Sequence, residues 1–206
     1  MSPRARACVA CFVLATAASC ASTRIARSWR DTGVGPFRFK KVLVVVVSTN
    51  ELIRSSAEDE VVSQITRTNA VPSYKLFLAS DLNEKERVKA KVTEEGFDGA
   101  VVMRLVDKTQ QLTWSPGAYP ADYYSFYGYW GRGWGAPYSP GTLRVDTILR
   151  IETNIYSVTQ NRLLWSGLSE TFNPNDHATL IKEVAGAVAR ELRKEGLIQQ
   201  EPGKTG

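Results

Sequence analysis

The chain has 206 residues, is 43% hydrophobic, and carries 26 basic and 21 acidic side chains for a formal charge of +5. That length is one domain with room for a real core. Part of the charge is Arg4 and Arg6 at the extreme N-terminus; the rest, about +3 with no dense basic stripe, argues against a nucleic-acid partner.

Arg4 and Arg6 precede an apolar run over residues 7–18 that ends in small side chains. A basic start, a short apolar run and small residues describe an export signal over residues 1–19. The run is too short for a transmembrane helix, which needs about 20 apolar residues. Cys20 follows Ala18 and Ser19 directly, and the segment resembles the lipobox of bacterial lipoproteins. The resemblance implies that the Cys20 thiol takes diacylglycerol, that the signal is cut before it, and that the new amine is acylated, with palmitate as a typical chain. Two or more acyl chains hold a protein stably on a membrane. Ala17 stands three before Cys20, where that family usually has leucine. Ordinary cleavage after Ala17 or Ala18, giving a soluble periplasmic protein, is the alternative. Ala21 in place of aspartate implies transfer to the periplasmic face of the outer membrane. Cys8 and Cys11 have redox-motif spacing but lie inside the signal, so the mature domain, left without a disulfide, is held by packing alone.

Residues 20–35, polar and without sustained periodicity, read as a lipidated start and tether, with Trp29 as its docking point. A single domain over 36–198 follows. Val42 to Val47 form a continuous apolar run that predicts a strand buried on both faces, Val44, Val45 and Val46 included. Ser48 and Glu51 have capping-box spacing and predict a helix to about Ile65. A strand is expected over 71–78, with Pro72 at its start. Asp81 and Glu84 repeat the capping spacing and predict a helix that stops at Gly96-Phe97. Residues 99–112 predict a third, central strand.

Residues 113–142 are different. They hold ten of the chain's aromatics, among them Trp114, Tyr124, Tyr127, Trp130 and Trp134, between glycines and prolines. Such a piece cannot be a regular helix or central strand. Long irregular segments inside compact domains are usually functional or disordered. Rings with polar tips suit a lipid interface, a glycan, or a protein partner or sister copy. A cover over an exposed sheet face is the plain alternative.

Residues 143–158 alternate, with Leu143, Val145, Thr147, Leu149, Ile151, Thr153 and Ile155 on one face, the pattern of a half-buried antiparallel strand. Thr159-Gln160-Asn161 predicts a turn, and residues 162–172 its hairpin partner. Asn175 or Asp176 caps a last helix with Leu180, Ile181, Val184, Val188 and Leu192 along one stripe, ending at Gly196-Leu197. Residues 199–206 are polar and read as a disordered tail.

The order β-α-β-α-β, aromatic insertion, β-β-α gives an α/β fold with a mixed sheet covered by helices. The first part and the hairpin from Tyr156 to Gly167 resemble the small α/β domains of outer-membrane accessory lipoproteins of the curli- and exopolysaccharide-secretion type, and of the N-terminal domain of the Tol translocation protein. The whole chain resembles a family of bacterial lipoproteins without an assigned function. The resemblance implies an envelope accessory or assembly module and marks no active site.

Chemistry has few candidates. His177 is the one histidine, so a multi-histidine metal site is excluded and no cofactor is expected. A triad of Ser169, His177 and Asp146 lacks a nucleophile-elbow sequence. Asp98, Asp107, Asp146 and Glu152 offer paired carboxylates of the glycosidase type, against plain solvated surface. The sequence therefore reads as a non-enzymatic envelope lipoprotein. It meets the membrane through its N-terminal lipid, and envelope proteins or a second copy through Trp114, Tyr124, Tyr127, Trp130 and Trp134. An envelope enzyme, or a glycan- or lipid-binding protein, with its site under the aromatic loop is the alternative.

Overall fold

The computed structural model describes residues 23–78, 80–115, 126, 127, 130 and 141–199. In chain order the elements are β1 (Thr23–Arg30), β2 (Lys41–Val47), α1 (Glu51–Gln64), β3 (Asn69–Pro72), α2 (Lys85–Glu94), β4 (Gly99–Ser115), β5 (Thr142–Ser157), β6 (Arg162–Phe172) and α3 (His177–Lys194). They form a mixed α/β fold around one sheet of order β1-β6-β5-β4-β2-β3. β2 is parallel to both β3 and β4, and the other pairs are antiparallel. Among the described residues no helix is long and apolar enough to cross a membrane.

The core follows from alternation along β2. Val42, Val44 and Val46 point to one face, where α1 and α3 cover them with Ala57, Val61, Leu180, Ile181, Val184, Val188 and Leu192. Leu43 points to the other face, against Phe77, Val92 and Phe97 beneath α2. Val45 is only half-buried there and Val47 is 58% exposed, because the strand outruns its cover. α2 covers one side of that second face. Over β1, β6 and β5 the face is mostly polar, with Ile148 of β5 buried on it.

Four local expectations are corrected. The stretch expected as a tether contains β1, which pairs with β6 from Thr23↔Thr171 to Arg30↔Trp165. An uncovered β6 edge would leave a row of free N–H and C=O groups, and a half-polar segment suits that position. Trp29 lies within this strand opposite Ser166, so it is no docking point. The cap of α1 is Asn50, whose Oδ1 accepts from the Ile53 N–H at 3.1 Å, while Ser48 Oγ accepts from the Asn50 N–H. The strand expected at 71–78 ends at Pro72, which has no N–H to extend the ladder, and the chain turns through the 3-10 segment Ser73–Lys75. Asp81 opens a separate 3-10 turn, Asp81–Asn83, and its Oδ2 accepts from the Leu78 N–H instead of capping α2.

The predicted helix stops hold. Gly96 and Gly196 sit at φ 70° and 71°, where a side chain would strain the backbone, and the following Phe97 and Leu197 are buried. Asp176 caps α3, accepting from the Thr179 N–H at 2.8 Å, and all five predicted stripe residues are buried. The tail from Gln200, and most of residues 113–142, lie outside the described residues.

Candidate functional site

β4 and β5 are 17 and 16 residues long, far longer than their neighbours. β2 leaves β4 at the pair Val47↔Arg104, and β6 leaves β5 at Ile148↔Phe172. Beyond those points, among the described residues, β4 and β5 pair only with each other, as far as Ser115↔Thr142. The result is a two-stranded arm that projects from one end of the sheet. Gly141 permits the closing approach: a Cβ there would lie 2.4 Å from the Ser115 carbonyl and 2.7 Å from the Trp114 ring.

The arm has two unlike faces. A bulge between Leu105 and Asp107 resets the alternation, after which Lys108↔Leu149, Gln110↔Thr147, Leu112↔Val145 and Trp114↔Leu143 share one face. Leu149 packs on the main core, so this face continues the helix-covered side of the sheet past the helices. There Leu112, Trp114, Leu143 and Val145 are 69%, 60%, 64% and 53% exposed. The sequence places Leu143 and Val145 on a buried face. The alternation is right, but the arm carries both residues beyond the described elements that cover the sheet.

The opposite face is polar and tied together. Asn173, at φ 46° just after β6, donates from Nδ2 to Asp146 at 2.7 Å and accepts from the Thr147 N–H at 2.7 Å. Arg144 pairs with Asp146 at 2.6 Å. The Asn173 amide, then the Arg144 charge, hold the Asp146 carboxyl below the usual carboxylate range. At the base of the arm a ladder of charges crosses four strands. Arg24 pairs with Glu170 at 2.9 Å, Glu170 with Arg150 at 2.8 Å, and Arg150 with Asp107. Hydrogen bonds from Arg150 and Arg24 lower Glu170, and those from Thr109 and Arg150 lower Asp107. Arg104 and Glu152 make a further pair at 2.7 Å.

This arrangement separates the members of the candidate triad and sets Asp98 apart from the other candidate carboxylates. Ser169 is buried on the core face and donates to the Ile151 carbonyl at 3.0 Å. Asp146 lies on the other face, and His177 is exposed at the start of α3. The triad is not assembled. Asp98 is at the far end of the sheet, accepting from the Lys40 and Lys41 N–H groups at 2.8 and 2.9 Å. An open cavity of about 320 Å³ lies beside it, lined by residues 33–39, Ser157, Thr159, Gln160, Arg162 and Leu164. Two of its charged groups are engaged, Asp98 with those amides and Arg162 with Asp31. Among the described residues no group of His, Cys, Asp and Glu side chains could hold a metal ion.

Of the predicted contact residues, Trp114 is on the apolar face of the arm. Tyr127 and Trp130 are 85% and 58% exposed and form a ring cluster with Phe126, at 5.2 Å from Phe126 to Tyr127 and 6.0 Å from Phe126 to Trp130. Tyr124, Trp134 and Cys20 lie outside the described residues. Leu112, Leu143 and Val145 are the contact candidates that the sequence reading missed. The signal for them was length: β2 offers seven residues of partner, and strands twice that long must project.

No family model and no curated protein matches the chain. Solved structures similar to it include a PelC dodecamer from Paraburkholderia phytofirmans, 9% identical, covering 79% of this chain and 96% of that one, with a TM-score of 0.43. Lipoprotein GNA1162 from Neisseria meningitidis is 12% identical, covering 75% and 99%, at 0.39. A minor lipoprotein from Acinetobacter baumannii is 10% identical, covering 78% and 98%, at 0.32. At such scores no property of those proteins passes to this chain.

Proposed function

We propose that this is a lipid-anchored envelope protein on the periplasmic side of the outer membrane, serving as a non-enzymatic accessory or binding module. One observation carries the reading: an uncovered apolar stretch of the sheet, the arm, projects from the end where the chain arriving from Cys20 joins it. Thr23, three residues after Cys20, pairs with Thr171 next to the arm's base. Exposed apolar patches rimmed by polar groups mark interaction surfaces. A glycosidase-type acid needs a carboxyl raised toward neutrality. Asp107 and Asp146 are instead held low by hydrogen bonds and arginines, which favours a binding module over an enzyme.

The test begins at Cys20. Wild type should incorporate a fatty-acid probe and sediment with membranes, and Cys20→Ala should abolish the labelling and leave the protein soluble or unprocessed. Crosslinking in intact cells should then capture envelope proteins with wild type and fewer with a Trp114→Ala, Leu143→Ser variant. A wild-type protein that takes no fatty-acid probe and washes freely from membranes would sink the reading.

A further inference from the structure

We propose that the apolar face of the β4–β5 arm seats in the headgroup layer of the membrane to which Cys20 ties the chain. This deepens the reading above and rests on its lipid anchor. The argument is one of register. Thr23 pairs with Thr171, and Thr171 with Leu149, so the N-terminal segment joins the sheet level with Leu149 of β5. β1 and β5 run in the same direction, both antiparallel to β6. A strand course carried back from Thr23 would therefore head the same way as the arm.

Three residue steps separate Thr23 from Cys20, a reach of at most about 10 Å. Fully extended, they end level with Asp146. The pairs Leu112↔Val145 and Trp114↔Leu143 lie roughly 3 and 10 Å further along. Amphipathic segments at a bilayer surface bury their apolar side about 5–10 Å into the headgroup and acyl boundary. The exposed pairs thus stand at the depth that an acylated Cys20 would set.

The chemistry of the arm agrees. Its apolar side is single, and the reverse side carries Thr113, Arg144 and Asp146. An indole such as that of Trp114 favours the interface, with its ring among acyl carbons and its N–H near water. Among the described residues both edges of the arm are unpaired beyond Arg104 and before Ile148. Unpaired backbone groups are very costly in hydrocarbon, so the arm lies in the hydrated layer and does not cross the bilayer. A second copy fits less well. The four apolar side chains expose on the order of 450 Å², about half of what each partner contributes to a stable protein interface. Against a membrane that already holds the chain, weak contact suffices, because the second contact is intramolecular.

The mature chain contains no cysteine after Cys20, so a thiol dye can be placed at will. Full-length acylated Leu143→Cys, labelled with an environment-sensitive dye, is reconstituted into vesicles of phosphatidylethanolamine and phosphatidylglycerol with brominated acyl chains. The dye should lose more than half its emission relative to unbrominated vesicles. The same dye at Arg144→Cys, on the polar face, should lose far less. Wild-type melting curves for both variants establish that the fold is intact. Equal quenching at the two positions, or none at Leu143→Cys in vesicle-bound protein, overturns the proposal while leaving the anchor in place. A blue shift at Leu143→Cys that grows with protein density and ignores bromine assigns the face to a second copy, and also overturns it. If Cys20 proves unacylated, its thiol is free to take the dye, so both variants are made with Cys20→Ser as well and added to preformed vesicles. Selective quenching at Leu143→Cys then sustains the arm without the anchor, and its absence ends both.

Discussion

Glu58 has no exposed surface, yet it sits on α1 among residues that read as polar helix. Its carboxylate accepts from the Val46 N–H at 3.0 Å, the Ser73 hydroxyl at 2.6 Å and the Tyr74 N–H at 2.9 Å. It thereby joins α1, the end of β2 and the turn after β3. One turn earlier, Arg54, also buried, donates to Glu51 and to the Phe77 carbonyl. Removing an acceptor strands its donors, each at about 1–3 kcal/mol. Glu58→Ala should therefore cost about 3 kcal/mol or more in urea unfolding, and Glu58→Gln clearly less, since one oxygen still accepts. A Glu58→Ala protein with an unchanged unfolding midpoint would show that the carboxylate holds nothing. None of this is legible in the sequence. A buried glutamate in a helix of mixed pattern looks like any solvated one until the turn it caps is seen. Pro72 hints at that turn, but the expected strand over 71–78 obscured it.

At the scale of elements, alternation was readable and extent was not. The β2 run, the α3 stripe and both glycine stops could be placed from residues alone, because each is a local pattern with a local cause. β1 was missed because its pairing depends on a bare β6 edge 140 or so residues away, a relation no local window contains. The charge ladder across β1, β6, β5 and β4 is of the same kind: the alternating signs on β5 could be read, but not their partners. It makes stability depend on pH. Asp107 and Glu170 are lowered from ordinary values of 3.8 and 4.5. Lowered carboxyls contribute stability that is complete above the unfolded values and lost as pH falls through the folded ones, because the unfolded chain takes up protons first. The melting temperature should thus fall as pH drops below about 4.5. Arg150→Met breaks the ladder at its centre and should flatten that acid-side fall, while lowering the neutral-pH value modestly, since the pairs are part-buried and Glu170 keeps Arg24. Parallel acid limbs for wild type and Arg150→Met would remove the ladder from the account of acid sensitivity.

The whole molecule divides into a packed body and an arm that adds little to it. Every member of the main core cluster comes from β2, α1, α3, the inner parts of β4, β5 and β6, or the turn that follows α3. Beyond Arg104 on β4 and before Ile148 on β5, the only ladder among the described residues is the one within the arm. An exposed two-stranded ribbon is marginally stable by itself, so it lends the body no cooperativity. Replacing residues 113–144 by Asn-Gly closes the arm at the pair Leu112↔Val145 with the turn that suits two-residue hairpins. The shortened protein should fold and melt cooperatively, with a melting temperature within about 4 °C of wild type, equivalent to roughly 1 kcal/mol at this size. Its contact with partners or membrane should fall sharply. Loss of cooperative melting, or a fall well beyond that margin, would mean that residues 113–144 cover the body, as a lid over the sheet would. The apolar face of the arm would then be a seam of the core, and the binding role would lose its surface.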